Sequence, residues 1–241
     1  MIRNKMILTL IGIVFGVLSS LSSWALDIRS GGGDICSNPN IAGCMLEDFL
    51  SVNGTTGQIG QYGWKLSSQP AGGTYFQFPA VGGSLFGMGG IQADGVNLNQ
   101  IVTLHLGQPI VDFTVWPNIT FQAAGEIDVG GATGNQGRMR IGWTNNSVFT
   151  SWTTNTGIYI EMDSSIDLNY YCVTHGAGTT RNLIKAWDPN APTESWVINK
   201  VNVNNYQCCV SGVCTNNTTN IPASTTYQPF FQAQNITSLY T

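Results

Sequence analysis

The sequence predicts an all-β chain folded as an antiparallel two-sheet sandwich, with a jelly roll as the commonest arrangement for so many strands. Three observations carry the prediction. Apolar and polar residues alternate with a period of two in run after run. Turn-forming Gly, Asn, Ser and Pro separate these runs at short intervals, and no amphipathic helical stretch of useful length follows the N-terminal segment. No repeat of fixed period is visible, which argues against a propeller or a β-helix.

The first element lies outside the sandwich. Residues 1–25 join a basic start (Arg3, Lys5) to the uncharged apolar run Met6 to Leu18 and a small-residue end closing at Ala25. That is the pattern of a secretory signal peptide, because the run is well short of the roughly 20 residues that span a bilayer. Cleavage after Ala25 leaves 216 of the 241 residues, enough for one large β-domain. The expected location is secreted, periplasmic or cell-surface, with no membrane span after cleavage. Losing Arg3 and Lys5 takes the formal charge from −4 to −6. Nucleic acid is thereby excluded as a partner, since phosphate binding needs a basic surface. Charged residues make up only 9% of the chain, so neutral amides and hydroxyls must do the solvating.

Residues 26–46 are rich in Gly, Asn and Ser and read as an extended N-terminal arm. Strand patterns follow. Tyr62, Trp64 and Leu66 share a face, Phe76 and Phe78 come next, and Val102, Leu104 and Leu106 alternate with Thr103 and His105. Val111, Phe113 and Val115 continue the pattern. Phe121, Ala123, Ile127 and Val129 oppose Gln122, Glu126 and Asp128. Two half-buried strands then flank a polar loop: Gly137 to Thr144, with Met139, Ile141 and Trp143 inward and Arg138 and Arg140 outward, and Gly157 to Asp163, with Ile158, Ile160 and Met162 inward and Tyr159, Glu161 and Asp163 outward. Late strands are expected at 196–203, 206–210, 213–218 and 230–233.

Six cysteines in an exported chain suggest disulfides. Ser211-Gly212 reads as a two-residue hairpin turn, which sets Val210 against Val213 and Cys209 against Cys214, close enough to bridge. Cys36 and Cys44 bracket a short loop and form a second expected pair. Cys172 with Cys208 remains as the third. A zinc site would need Cys-x-x-Cys pairs or clustered histidines, and His105 and His175 are the chain's two histidines. No metal or other cofactor is expected: Gly31 to Asp34 and Gly87 to Gly90 lack the ligand spacing of a calcium loop.

Several segments together resemble the lectin-type jelly-roll domain of bacteriophage virion and tail-fibre proteins. They are Glu47-Asp-Phe-Leu50, Gly57-Gln-Ile-Gly-Gln-Tyr-Gly-Trp64, the two strands at 137–144 and 157–163, Tyr170-Tyr-Cys-Val-Thr174, Val210-Ser-Gly-Val213, and Thr218-Thr-Asn-Ile-Pro222 leading into Pro229-Phe-Phe-Gln232. Their order and spacing run from Glu47 to the C-terminus, so residues 47–241 are read as a single domain. The resemblance implies a concanavalin-like sandwich serving structure and attachment to surface glycans. The signal peptide and six cysteines depart from a particle protein, which points to an exported bacterial relative.

Glu126-Ile-Asp128 looks like the first half of the Glu-x-Asp-x-Glu or Glu-x-Asp-x-x-Glu motif of laminarinase-like glycosidases. Retaining hydrolysis needs a second carboxyl group about 5–5.5 Å away, and the required positions hold Gly130 and Gly131. A hairpin closing through 130–136 would instead pair Asp128 with Arg138 and Glu126 with Arg140. No Gly-x-Ser-x-Gly elbow is present, so no nucleophilic triad is legible. For binding, the useful residues are aromatics and amides in polar loops: Trp152 with Asn145 and Asn146, and Trp187 beside Asp188. An apolar ring beside directed hydrogen-bonding groups suits a sugar with one apolar face.

The expected function is therefore a non-enzymatic, lectin-like module binding cell-surface or extracellular glycan through loops at one sandwich edge. A structural subunit of a fibre, coat or appendage, assembling as a homo-oligomer, is the second reading, and a glycoside hydrolase the third.

Overall fold

The structure, a computed structural model, describes residues 52–53, 58–59, 64–67, 101–107, 111–114, 118–125, 137–146, 149, 152, 156–188, 194–202, 205–218, 221 and 226–235. Residues 1–25, expected to be a signal peptide, residues 26–46, expected to be an arm, and Cys36, Cys44, Glu126, Asp128, Phe76 and Phe78 lie outside the described residues.

Fourteen strands are described: β1 (Val52–Asn53), β2 (Gln58–Ile59), β3 (Lys65–Ser67), β4 (Ile101–His105), β5 (Val111–Asp112), β6 (Ile119–Gly125), β7 (Gly137–Thr144), β8 (Gly157–Asp163), β9 (Asn169–His175), β10 (Thr179–Ala186), β11 (Glu194–Asn202), β12 (Asn205–Val210), β13 (Val213–Thr218) and β14 (Thr226–Asn235). The larger sheet runs β10-β9-β8-β7-β14-β4-β3, with β5 pairing β14; the smaller runs β13-β12-β11-β6; β1 and β2 form a short pair of their own. Every pairing is antiparallel. The chain is an all-β, two-sheet jelly-roll sandwich.

The even-spaced apolar residues meet between the sheets. Met139, Ile141, Trp143, Ile158, Ile160, Met162, Tyr170 and Cys172 of the larger sheet pack on Phe121, Trp196, Ile198, Tyr206, Cys208 and Val210 of the smaller. Ile158, Ile160 and Met162 have no exposed surface at all. Burying each aliphatic chain of this size contributes about 1.5–3 kcal/mol. The Cys172–Cys208 disulfide crosses this layer from β9 to β12.

The second bridge, Cys209–Cys214, joins β12 to β13. Its cause is local: Ser211 (φ 47°) and Gly212 (φ 84°) form the two-residue turn, so Val210 pairs with Val213 and Cys209 with Cys214. Ser211 is pinned further, its hydroxyl donating to the buried Glu194 carboxylate while its N–H donates to the Ser195 carbonyl. Beyond the turn, Asn217 donates to the Cys172 and Thr180 carbonyls, which ties the β13 edge to the larger sheet.

Two expectations need correction. Neither edge of β7 is free for a hairpin with residues 126–128, because β8 and β14 occupy both. Arg138 pairs with Asp163 and Arg140 with Glu161 across β7 and β8, while Glu126 and Asp128 lie outside the described residues. The strand preceding β7, β6, belongs to the other sheet, paired with β11. Nor is β8 half-buried: all seven of its residues are buried. Phe149 packs on Tyr159 of its outward side, and Trp152 lies over Arg138 and Arg140 of the neighbouring β7.

Candidate functional site

Alternation along each strand of the larger sheet sends one set of side chains into the core and the other outward. The outward set carries the chain's polar chemistry. Register places Arg138 opposite Asp163, Arg140 opposite Glu161, Glu161 opposite Tyr171 and Tyr171 opposite Leu183; one step along, Tyr159 lies opposite Val173 and Val173 opposite Arg181. On the far side of β7, Phe230 pairs with His105 and Gln232 with Thr103.

At the centre of this face, Arg140 Nε donates to Glu161 Oε2 at 2.7 Å, and both side chains are over nine-tenths buried. Arg181 Nε reaches the other oxygen of the same carboxylate at 3.3 Å. Arg138 Nη1 reaches Asp163 at 3.4 Å and gives its other nitrogens to Gln234. Aromatic rings bracket the guanidinium groups. The Trp152 ring lies 4.5 Å from Arg138 and 4.1 Å from Arg140, Tyr159 lies beneath Arg140 at 5.0 Å, and Tyr171 faces Arg181 at 3.5 Å. The three guanidinium groups thus form one row from β7 to β10, joined by Trp152 and by Glu161 and ending on Tyr171. Burial lifts the Tyr159 phenol to about 12, so it is a neutral hydrogen-bonding group at physiological pH. The Tyr171 phenol is raised chiefly because it donates to Asp167, at 2.5 Å. Burial also lowers Arg138 from the usual guanidinium value, and it stays charged.

Beside the row, a small apolar cluster closes the rest of the face. Phe149 packs on Tyr159, Val173 and Phe230, and its ring lies 4.8 Å from His105. The loop bearing Phe149 and Trp152 is held by its own backbone. Asn145 N–H donates to the Thr156 carbonyl, Thr156 N–H donates to Asn146 Oδ1, and Gln228 Nε2 donates to the Asn146 carbonyl at 2.6 Å. Gln228 Oε1 accepts from Gly107 N–H at 2.8 Å and sits 3.2 Å from His105 Nδ1. Burial, with Lys65 nearby, holds the His105 pKa below its usual value.

The five residues singled out for binding separate into two groups. Trp152, Asn145 and Asn146 come together on the loop over the outer face, where Trp152 is half-buried against two arginines and the asparagines fix the loop's course. Trp187 instead packs against the core between the sheets, its N–H donating to the Leu168 carbonyl, and Asp188 beside it is exposed. Sequence reasoning missed Arg140, Arg181, Glu161, Tyr159 and Tyr171 as site residues. The signal was present, since three outward positions on β8 are Tyr159, Glu161 and Asp163, but a period-two polar set reads equally as a solvated face. Among the described residues, no group of three or more His, Cys, Asp or Glu side chains converges as a metal site would require.

No family model matches the chain, and no curated protein is similar enough to match. Solved structures do match. The carbohydrate recognition domain of Emp47p is similar at 12% identity with a TM-score of 0.50, the match covering 78% of this chain and 84% of that one. The globular domain of T. cruzi calreticulin is similar at 9% identity, TM-score 0.47, over 73% of this chain and 79% of that one. A beta-glucanase of Bacillus licheniformis is similar at 12% identity, TM-score 0.39, over 90% and 81%. At such identity the first likeness speaks for the fold, a concanavalin-like jelly roll.

Proposed function

We propose that this protein is a non-enzymatic, lectin-like module, exported and displayed outside the cytoplasm, that binds glycan on the outer face of its larger sheet. The carrying observation is the row in which Trp152 and Tyr171 flank Arg138, Arg140 and Arg181. Aromatic rings held rigidly by stacking give a pyranose its apolar platform, and the guanidinium and amide donors give directed hydrogen bonds. The binding surface in this reading is the partly exposed rim of Trp152, Arg138, Arg181 and Tyr171 beside the buried Arg140–Glu161 pair, rather than the sandwich edge near Trp187. The resemblance to virion modules and the similarity to a carbohydrate recognition domain agree with attachment to surface glycans. Two disulfides agree with an oxidising compartment and hence with the signal peptide at 1–25.

Glu161 and Asp163 are the face's central carboxylates, and each is matched by a guanidinium, which favours binding over hydrolysis. A glycan array on the disulfide-bonded chain, paired with light scattering, tests the reading. Binding by a monomer, lost in Trp152→Ala, is expected. Ordered polymer without glycan affinity would replace the reading with a fibre or coat subunit. Exposed Leu168 and Leu183, on or beside edge strand β10, are the surface such a subunit would use. Release of reducing sugar would instead revive the hydrolase.

A further inference from the structure

The charge of the outer face runs against the charge of the protein. Beyond residue 25 the chain holds seven Lys and Arg residues and a net charge of −6. Four of the seven, Lys65, Arg138, Arg140 and Arg181, stand on this one face. Of the remaining three, Lys185 is spent on the buried Glu194 and Lys200 on the Phe113 carbonyl. The face has carboxylates too, but they lie deeper. The Arg138 side chain is 24% exposed above Asp163 at 5%, and Arg181 is 27% exposed above Glu161 at 9%. Asp167, at the end of the row, is occupied by the Tyr171 phenol and the Asn169 N–H. Among the described ion pairs of this face, the guanidinium is the more exposed partner at Arg138 and Arg181.

Arg181 also holds an unspent donor. Arg181 Nη2 is buried without a hydrogen-bond partner among the described residues. Its Nε contact with Glu161 and the Arg138–Asp163 contact, at 3.3 and 3.4 Å, are both long beside the 2.7 Å of Arg140–Glu161. With long ion-pair contacts and about a quarter of each side chain exposed, Arg138 and Arg181 can turn donors toward a ligand oxyanion. Stacking on Trp152 and Tyr171 holds Arg138 and Arg181 in fixed planes, so they meet such an oxyanion without losing further side-chain freedom.

We propose that the glycan recognised here is acidic: a saccharide bearing carboxylate or sulfate groups, read by Arg138 and Arg181 while its pyranose faces rest on Trp152 and Tyr171. This inference rests on the glycan-binding reading above and narrows it to one chemical class.

The test is direct binding of the disulfide-bonded chain to matched pairs of probes. Polygalacturonate against its methyl ester isolates the carboxylate, and dextran sulfate against dextran isolates the sulfate. Binding to a charged member and not its neutral twin is expected, weakening steadily as salt rises. Arg181→Gln should weaken it by about tenfold, the scale of one charged hydrogen bond. Arg181→Lys, which keeps the charge but not the planar fork, should retain part of it. Circular dichroism of both variants checks that the sandwich is intact. Equal binding to charged and neutral members would overturn the acidic assignment and leave the lectin reading standing. Charged-probe binding that Arg181→Gln leaves unchanged would overturn it as well, placing the contact elsewhere. No binding to any neutral or acidic glycan on an array would remove both.

Discussion

The buried ion pair at the centre of the outer face makes a quantitative prediction. Arg140 and Glu161 are each over nine-tenths buried, and their 2.7 Å contact is the shortest of the four ion pairs described. Arg140→Met keeps roughly the same volume and leaves the Glu161 carboxylate with Arg181, which is 27% exposed and sits at 3.3 Å. Removing one partner of a buried pair costs about 3–5 kcal/mol, because the other charge is left uncompensated. Arg181 returns part of this, which sets the expected loss near the lower bound, about 3 kcal/mol. Stacking of Arg140 between Trp152 and Tyr159 adds about 0.5–1 kcal/mol to the loss, offset in part by the methionine's packing. Glu161→Gln strands Arg140 in turn and should cost a similar amount. The double variant has no buried charge to strand and should recover at least about 1.5 kcal/mol relative to the sum of the singles. Urea unfolding under oxidising conditions, with midpoints and slopes fitted for all four proteins, reads this cycle. A single-variant loss below about 1 kcal/mol, or strict additivity, would refute the reasoning, since it would mean that water reaches the Arg140–Glu161 pair.

Other consequences follow from the same geometry. Replacing Cys172 and Cys208 by Ala opens a loop with a sequence separation of 36, worth about 3.8 kcal/mol by chain entropy, against about 2 kcal/mol for Cys209 and Cys214 with a separation of 5; thermal unfolding of the two double variants should therefore rank them in that order. Gly142→Ala should cost about 1–3 kcal/mol, because Gly142 has φ 152° and an added Cβ would sit 2.5 Å from the Ile158 carbonyl and 2.7 Å from Ile198; equilibrium unfolding near wild-type would contradict it. His105 is held neutral by burial, so below about pH 6.5 the unfolded chain takes up its proton first and the folded state loses stability. The melting temperature should fall as pH drops from 6.5 through the lowered folded-state value, and His105→Gln should flatten that slope while leaving stability above pH 6.5 independent of this group.

How much was legible in the sequence depended on which faces of a strand are buried. Where one face meets the core and the other meets a partner of known polarity, as in β4, β6 and β7, alternation located the strands and assigned Leu104, Phe121, Ala123, Met139, Ile141 and Trp143 to the core. The 211–212 turn was equally readable, because its residues accept positive φ and fix the register of both neighbours. β9 gave no alternating signal since Tyr170, Cys172, Val173 and Thr174 are all buried, and a strand covered on both sides reads as a continuous run. β10 was hidden differently: its register shifts between Leu183 and Lys185, which breaks the period that would have marked it.

The site was legible only in part for a related reason. Trp152, Asn145 and Asn146 stood out in the sequence because polar loops with aromatic residues are conspicuous. Trp152 meets Arg138 and Arg140 of β7, and only strand pairing adds Glu161, Tyr171 and Arg181 from β8, β9 and β10. Glu126 and Asp128 drew attention by motif, while among the described residues the carboxylates that meet the arginines are Glu161 and Asp163. A local spacing rule favours neighbours in sequence, and a sheet joins residues 20 or more positions apart.

The most direct test of the account is a crystal structure of the disulfide-bonded chain with an oligosaccharide that binds it. The account predicts sugar rings over Trp152 and Tyr171, with ligand oxygens within hydrogen-bonding distance of Arg138 and Arg181. Sugar bound instead beside Trp187 and Asp188, or along the β13 edge, with the outer face empty, would contradict it.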